Sequence, residues 1–159
     1  MNQFQIRQYF TLLHLPTTSS LLALIIVGAS LVPVLQLGRL AWLLAEGFLM
    51  IGVASNYFDE ITGRPWRTTI PERNLWSIGL ISYILSSVIG LHLSTLVGSW
   101  FLAFVVAWGI LVPAYSLELF GGKLHNAWTI AFNASLSTLA GTLIPVSYTH
   151  LRAHETVLD

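Results

Sequence analysis

The chain has 159 residues, of which 55% are hydrophobic and only 9% charged, against about 25% charged in an ordinary soluble domain. Seven basic and seven acidic residues cancel, so there is no electrostatic case for nucleic-acid binding, and the lack of cysteine excludes a disulfide framework and a thiolate metal site. A mean hydropathy of +0.73 points to an all-α integral membrane bundle.

In chain order, residues 1–14 are mixed in polarity. They suit a short interfacial helix with Tyr9, Phe10, Leu12 and Leu13 at headgroup level. A first apolar segment runs from about 15 to 37, long enough to read as a span rather than a cleavable signal. Pro16 fits its first turn, and Pro33 should kink or end it. Gly38-Arg39 reads as a tight turn before a second span, about 40–58, that carries Glu46. Pro65 and Pro71 punctuate a loop over about 63–74. A third span is expected at about 75–93, a short turn at Ser94-Thr95, and a fourth span at about 96–117 with Pro113 near its end. A polar loop over 118–126 holds Gly121, Gly122, Lys123 and His125, and a fifth span covers about 127–144. The total is about five transmembrane helices.

The loops alternate in charge. With the N-terminus in the cytoplasm, Arg7, Arg64, Arg67, Arg73 and Lys123 fall on the inner side and Arg39 on the outer side. That asymmetry predicts a multi-pass membrane protein with a cytoplasmic N-terminus. Trp66, Trp76 and Trp128 fall near the inner interface and Trp42 and Trp100 near the outer one, whereas Trp108 lies mid-span and reads as packing.

The stretch Ser55–Arg67 concentrates the polar chemistry. Asn56, Asp59 and Glu60 are spaced i, i+3, i+4, which on a helix places them on one face. Arg64, Arg67 and Arg73 follow at once. Carboxylates beside arginines at the end of a membrane helix suit a magnesium-bound diphosphate. They equally suit a polar cap and solvated loop between two membrane helices. From Glu46, the steps to Leu49, Val53, Asn56 and Glu60 keep one helical face, which turns Glu46 into the bundle; a place near the outer interface, or a neutral hydrogen-bonded carboxyl, is the other reading. Tyr115, Ser116, His125 and Asn126 belong to the same inner side, as a border to a bound acceptor or phosphate or as a hydrogen-bonded helix end. His14 and His92 read as packing histidines. Gly121-Gly122-Lys123 lacks the spacing of a phosphate loop. Asn133-Ala-Ser135 fits a glycosylation pattern by chance, inside a span.

From Val146 to Thr156 the character changes abruptly and resembles a translated transposase sequencing adapter. Residues 146–159 are therefore set aside as fusion-like sequence, with His150 and His154. Residues 1–145 are read as the N-terminal half of a longer protein.

A first span opening in His14-Leu-Pro16, a second ending in Asn56-Tyr-Phe-Asp-Glu60, a basic loop with Arg64-Pro65, and a fourth span ending in Pro113-Ala-Tyr-Ser116 together resemble the UbiA superfamily of intramembrane prenyltransferases. The likeness covers about residues 5–145. The family motif is Asn-Asp-x-x-Asp. Counted from Ser55, Asn56 and Asp59 take its acidic positions, and Tyr57-Phe58-Asp59 with Gly63 resemble the quinone-type branch. Counted from Asn56, Glu60 falls on the second acid. Either way one acidic ligand is missing. The resemblance implies a bundle of about nine helices around a cavity, of which this chain supplies about five. It implies transfer of an isoprenoid chain from a polyprenyl diphosphate to a small, often aromatic acceptor, assisted by Mg2+. On that basis Asp59 and Glu60 are the expected catalytic acids, with Asn56 as a further metal ligand. Arg64, Arg67 and Lys123 are expected on the diphosphate, and Tyr115, His125 and Asn126 on the substrate. A transporter or channel segment using Glu46 and Asp59 as a cation path, and a small structural membrane protein, are the competing classes.

Overall fold

The computed structural model describes residues 3–144. The expectations about the 146–159 tail lie outside the described residues. Those described are all helical, without a strand.

Helix α1 (Gln3–Thr11) and α2 (Leu15–Ser30) are almost continuous. His14 breaks them with a left-handed φ of 39°, and Pro16 restarts the helix in its first turn, where a missing N–H costs nothing. Thr18 closes the break by donating its hydroxyl to the Leu13 carbonyl at 2.6 Å. Helix α2 stops at Ser30, ahead of Pro33, which disfavours helix in the residue before it. The connection is therefore 31–36. Gly38-Arg39, expected as a tight turn, instead lies in the first turn of α3 (Leu37–Gly47).

From α3 the chain continues through a π-helical segment, Phe48–Ser55, into α4 (Asn56–Thr62). Helix α5 is longer than expected, Glu72–Val97. The turn anticipated at Ser94-Thr95 is helical, because both hydroxyls bond back to carbonyls one turn earlier, Leu91 and His92. Gly98 ends the helix at φ 121°, a conformation that L side chains rarely adopt. A 3-10 turn, Ser99–Phe101, leads into α6 (Leu102–Ser116), and α7 (Ala127–Leu143) closes the described chain. Asn126 caps α7 by accepting from the Thr129 amide at 3.1 Å.

The core is a contiguous apolar cluster that joins α2, α3, α6 and α7 through Ile25, Leu43, Trp108, Val112 and Ala140. Trp108 is buried, as packing requires. A second cluster, built on Leu12, Val53, Tyr57, Ile70 and Leu75, ties α1 and the 63–71 loop to α4 and α5. Helices α2 and α7 make the closest approach. A Cβ at Gly28 would collide with the Thr138 carbonyl, and one at Gly141 with the Ile25 carbonyl. Small residues permit such contact where dispersion between backbones replaces side-chain interdigitation.

Four helical runs are long and apolar enough to cross a membrane: Gln3–Ser30, Leu37–Thr62, Glu72–Val97 and Ser99–Ser116. Helix α7, expected as a fifth span, is shorter at 17 residues. Large apolar side chains stay exposed along α5 (Ile81, Ile84, Leu85, Val88) and α6 (Val106, Ile110), a pattern that an aqueous surface would not favour.

Candidate functional site

The 63–71 loop, α1 and the 117–126 loop meet at one end of the bundle. Gln8 accepts from the Thr69 amide at 3.2 Å, and the Asn74 amide donates to the Tyr9 hydroxyl at 2.9 Å. A cavity of about 410 Å³ opens at this end, between the α1–α2 break, α4, the end of α6 and the start of α7. Its mouth carries Asp59, Glu118, His14, Trp66, Tyr115 and His125. One to two turns further along the same helices the lining includes Leu21, Ile51 and Val112, together with Asn133. The Ser55 and Ser116 hydroxyls, 2.7 Å apart, pin the end of the π segment to α6 across the wall.

Asp59 lies at the centre of this arrangement. One carboxylate oxygen, Oδ1, is buried and finds no hydrogen-bond partner among the described residues. The Ser116 hydroxyl lies beside the carboxylate, and His125 and Glu118 are close enough to act on its charge. Asn133 Oδ1, deeper in the cavity, is likewise buried and unpartnered, although its amide donates to the Thr129 carbonyl at 3.0 Å. Two unsatisfied acceptors beside one cavity are uncommon, since buried polar atoms are nearly always paired.

Two aromatic–histidine pairs flank the mouth. His14 packs against Trp66 at 4.5 Å between ring centroids, and His125 stacks on Tyr115 at 4.3 Å and 15° while its Nδ1 sits 3.1 Å from the Tyr115 carbonyl. His14 and Glu118 both hold positive φ, 39° and 49°, as do Arg64 and Arg67 in the adjoining loop. Strained non-glycine backbone of this kind tends to gather at binding sites.

The expected site residues separate. Asn56, Asp59, Tyr115 and His125 line the cavity; Glu60, Arg64, Arg67, Lys123 and Asn126 do not. Asn56 is spent on the backbone, its amide donating to the Gly52 carbonyl at 2.9 Å where the helix changes from π to α spacing. Glu60 is fully buried, and both its oxygens are taken. Oε2 accepts from the Trp66 amide at 3.0 Å, and Oε1 from the Thr68 amide and hydroxyl at 2.7 and 2.9 Å. It holds the loop, with each oxygen engaged by a backbone amide. Arg64 and Arg67 are exposed, and Arg64 donates to the Thr68 carbonyl at 3.4 Å. Lys123 and Asn126 form one tight turn, the Asn126 amide donating to the Lys123 carbonyl at 2.6 Å.

Glu46 is buried, as its spacing suggested, but it stays outside the cavity. A π turn takes about one residue more than an α turn, so the eight residues from Phe48 to Ser55 also turn Asn56 and Glu60 away from the face that α spacing would have them share with Glu46. The Glu46 carboxylate oxygens have no hydrogen-bond partner among the described residues, and Oε1 lies where a Cβ on Gly90 would come within 2.9 Å.

The cavity also gathers residues that the linear pattern gave no reason to join. His14 is a cavity residue and not only packing. Glu118 and Asn133 had no site motif; the one available hint was that Glu118 lies two residues past the α6 end already marked by Tyr115-Ser116.

A hard divalent cation such as Mg2+ takes one or two carboxylates and completes its shell with phosphate oxygens and water. Asp59 and Glu118 are the carboxylates in the cavity lining. Among the described residues no group of three His, Asp or Glu is assembled to hold an ion alone, so further ligands would have to come from the bound molecule.

No known family model matches the chain, and neither does any curated protein or solved structure.

Proposed function

We propose that this chain is a membrane-embedded bundle whose cavity receives a lipid-like substrate, and that the substrate is a polyprenyl diphosphate handled in the manner of an intramembrane prenyltransferase. The observation that carries the reading is the Asp59 carboxylate, one oxygen of which is buried without a hydrogen-bond partner among the described residues, in the lining of a cavity that also has an aliphatic stretch, Leu21, Ile51 and Val112. An isoprenoid chain matches the Leu21, Ile51 and Val112 wall. The diphosphate would sit at the mouth, its charge balanced by Mg2+ held by Asp59 and Glu118. When bound, the metal supplies charge neutralisation for the departing diphosphate. Asp59 and Glu118 hold and orient the head, and the apolar wall keeps water from the allylic carbon. Tyr115, stacked on His125, borders the place where a small acceptor would approach. Arg64, Arg67 and Lys123 then serve as inner-face anchors and long-range attraction for an anion, outside direct contact.

A cation path through Glu46 and Asp59 has less support, because Glu46 does not border the cavity that Asp59 lines. The test is binding of farnesyl diphosphate to the purified chain in neutral detergent, with and without Mg2+. The expected result is saturable binding that requires Mg2+ and is lost in Asp59→Asn. Binding that ignores Mg2+, or survives Asp59→Asn unchanged, would overturn the reading.

A further inference from the structure

Every full charge at the cavity mouth is negative. Asp59 and Glu118 line it, and no Lys or Arg does so among the described residues. Its lining includes two ring pairs, Trp66 with His14 and Tyr115 with His125. One Asp59 carboxylate oxygen has no hydrogen-bond partner among the described residues, and Leu21, Ile51 and Val112 give the cavity an aliphatic stretch beside Asn133. Carboxylates inside an aromatic frame attract a cation twice, through charge and through the negative faces of the rings. An aliphatic wall below them selects a molecule with a chain attached.

We propose that the same mouth binds the ammonium head of a single-chain cationic amphiphile, an alkylammonium with its chain directed along Leu21, Ile51 and Val112. This goes beyond the prenyl diphosphate reading and does not rest on it. That reading needs a divalent cation between the carboxylates and an anion; an ammonium head meets Asp59 and Glu118 directly. The two ligands compete for the same carboxylates, and a chelator separates them.

The experiment uses the purified chain in a maltoside detergent, which is uncharged, with EDTA present. Radiolabelled dodecyltrimethylammonium is the probe, displaced by its unlabelled form or by dodecyl phosphate of the same chain length. Saturable binding is expected, with dodecyl phosphate displacing the probe at least about tenfold less effectively. The doubly neutralised variant Asp59→Asn, Glu118→Gln should bind the probe at least about tenfold more weakly. Trp66→Leu, a change at an exposed site that leaves the carboxylates in place, should weaken the probe severalfold while keeping the order of the two ligands. Equal displacement by the phosphate, or unchanged binding in the doubly neutralised variant, overturns the proposal, as does the absence of saturable binding to the unaltered chain. The comparison between the two ligands on the unaltered chain decides the matter even if the double variant does not fold. Failure here leaves Mg2+-dependent farnesyl diphosphate binding to be judged separately, and failure of that binding leaves the EDTA result standing.

Discussion

Asp59 and Glu60 are adjacent carboxylates with opposite employment. Glu60 accepts three hydrogen bonds from the 66–68 loop, and Asp59 keeps one buried oxygen unpaired at the cavity. Hydrogen bonds to a charged group contribute about 1.5–3 kcal/mol each, and deleting the acceptor leaves buried amides unpaired. Glu60→Ala should therefore destabilise the chain by about 3 kcal/mol and expose the loop, read as a lower melting temperature and faster proteolysis between Gly63 and Thr69. Glu60→Gln keeps one acceptor oxygen but turns an amide donor toward a backbone N–H, so it should cost less, about 1–2 kcal/mol. Asp59→Asn should show the reverse profile, with stability maintained or raised and ligand binding lost. A melting temperature unmoved by Glu60→Ala would remove the loop-holding role.

At the scale of elements, the α2–α7 contact and the π segment shape the cavity. Gly28 and Gly141 face carbonyl oxygens of the opposing helix with no room for a side chain. Because the obstacle is backbone, the helices themselves must part. Gly141→Ala should cost about 1–3 kcal/mol, the range for overpacking a close contact, and Gly141→Leu more. Thermal unfolding in detergent measures both, with Gly38→Ala as the control, since nothing lies near a Cβ there. Equal effects at Gly38 and Gly141 would deny the close contact. The π segment was invisible in the pattern of apolar residues, because Phe48–Ser55 is apolar nearly all round and reads the same at either helical period. Its consequence is that Glu60, fourteen positions after Glu46 in the sequence, is turned away from the face that α spacing would have the two share.

For the whole molecule, the open question of topology has a direct test. The 159-residue chain contains no cysteine, so single cysteines introduced into it report without background. Val34, in the connection before α3, and Arg67, in the loop after α4, are both exposed and lie on either side of the run Leu37–Thr62. The basic asymmetry predicts that Arg67→Cys labels from the cytoplasmic side and Val34→Cys from the other, using a membrane-impermeant thiol reagent on oriented cells. Labelling of both from one side would remove the spanning assignment of that run.

The sequence by itself determined the helical class and the order of the long apolar runs, and it marked the stretch of which Asn56 and Asp59 line the cavity. Those properties depend on composition and on features local in the chain, such as Pro16, Pro33 and the acid spacing. It placed the turns less well, at Gly38-Arg39 and Ser94-Thr95, because polar or small residues inside an apolar bundle can be satisfied by their own helix as readily as by a turn. Only the tertiary structure decided which acid serves the cavity. Asp59 and Glu60 are one residue apart and alike in charge, and their roles diverge because the 66–68 amides approach one and α6 the other. Only the tertiary structure could bring His14, Glu118 and Asn133 to the same cavity, since more than a hundred residues separate the first from the other two. Contact between them is set by how α2, α4, α6 and α7 pack, a relation among faces of separate helices that no local spacing encodes.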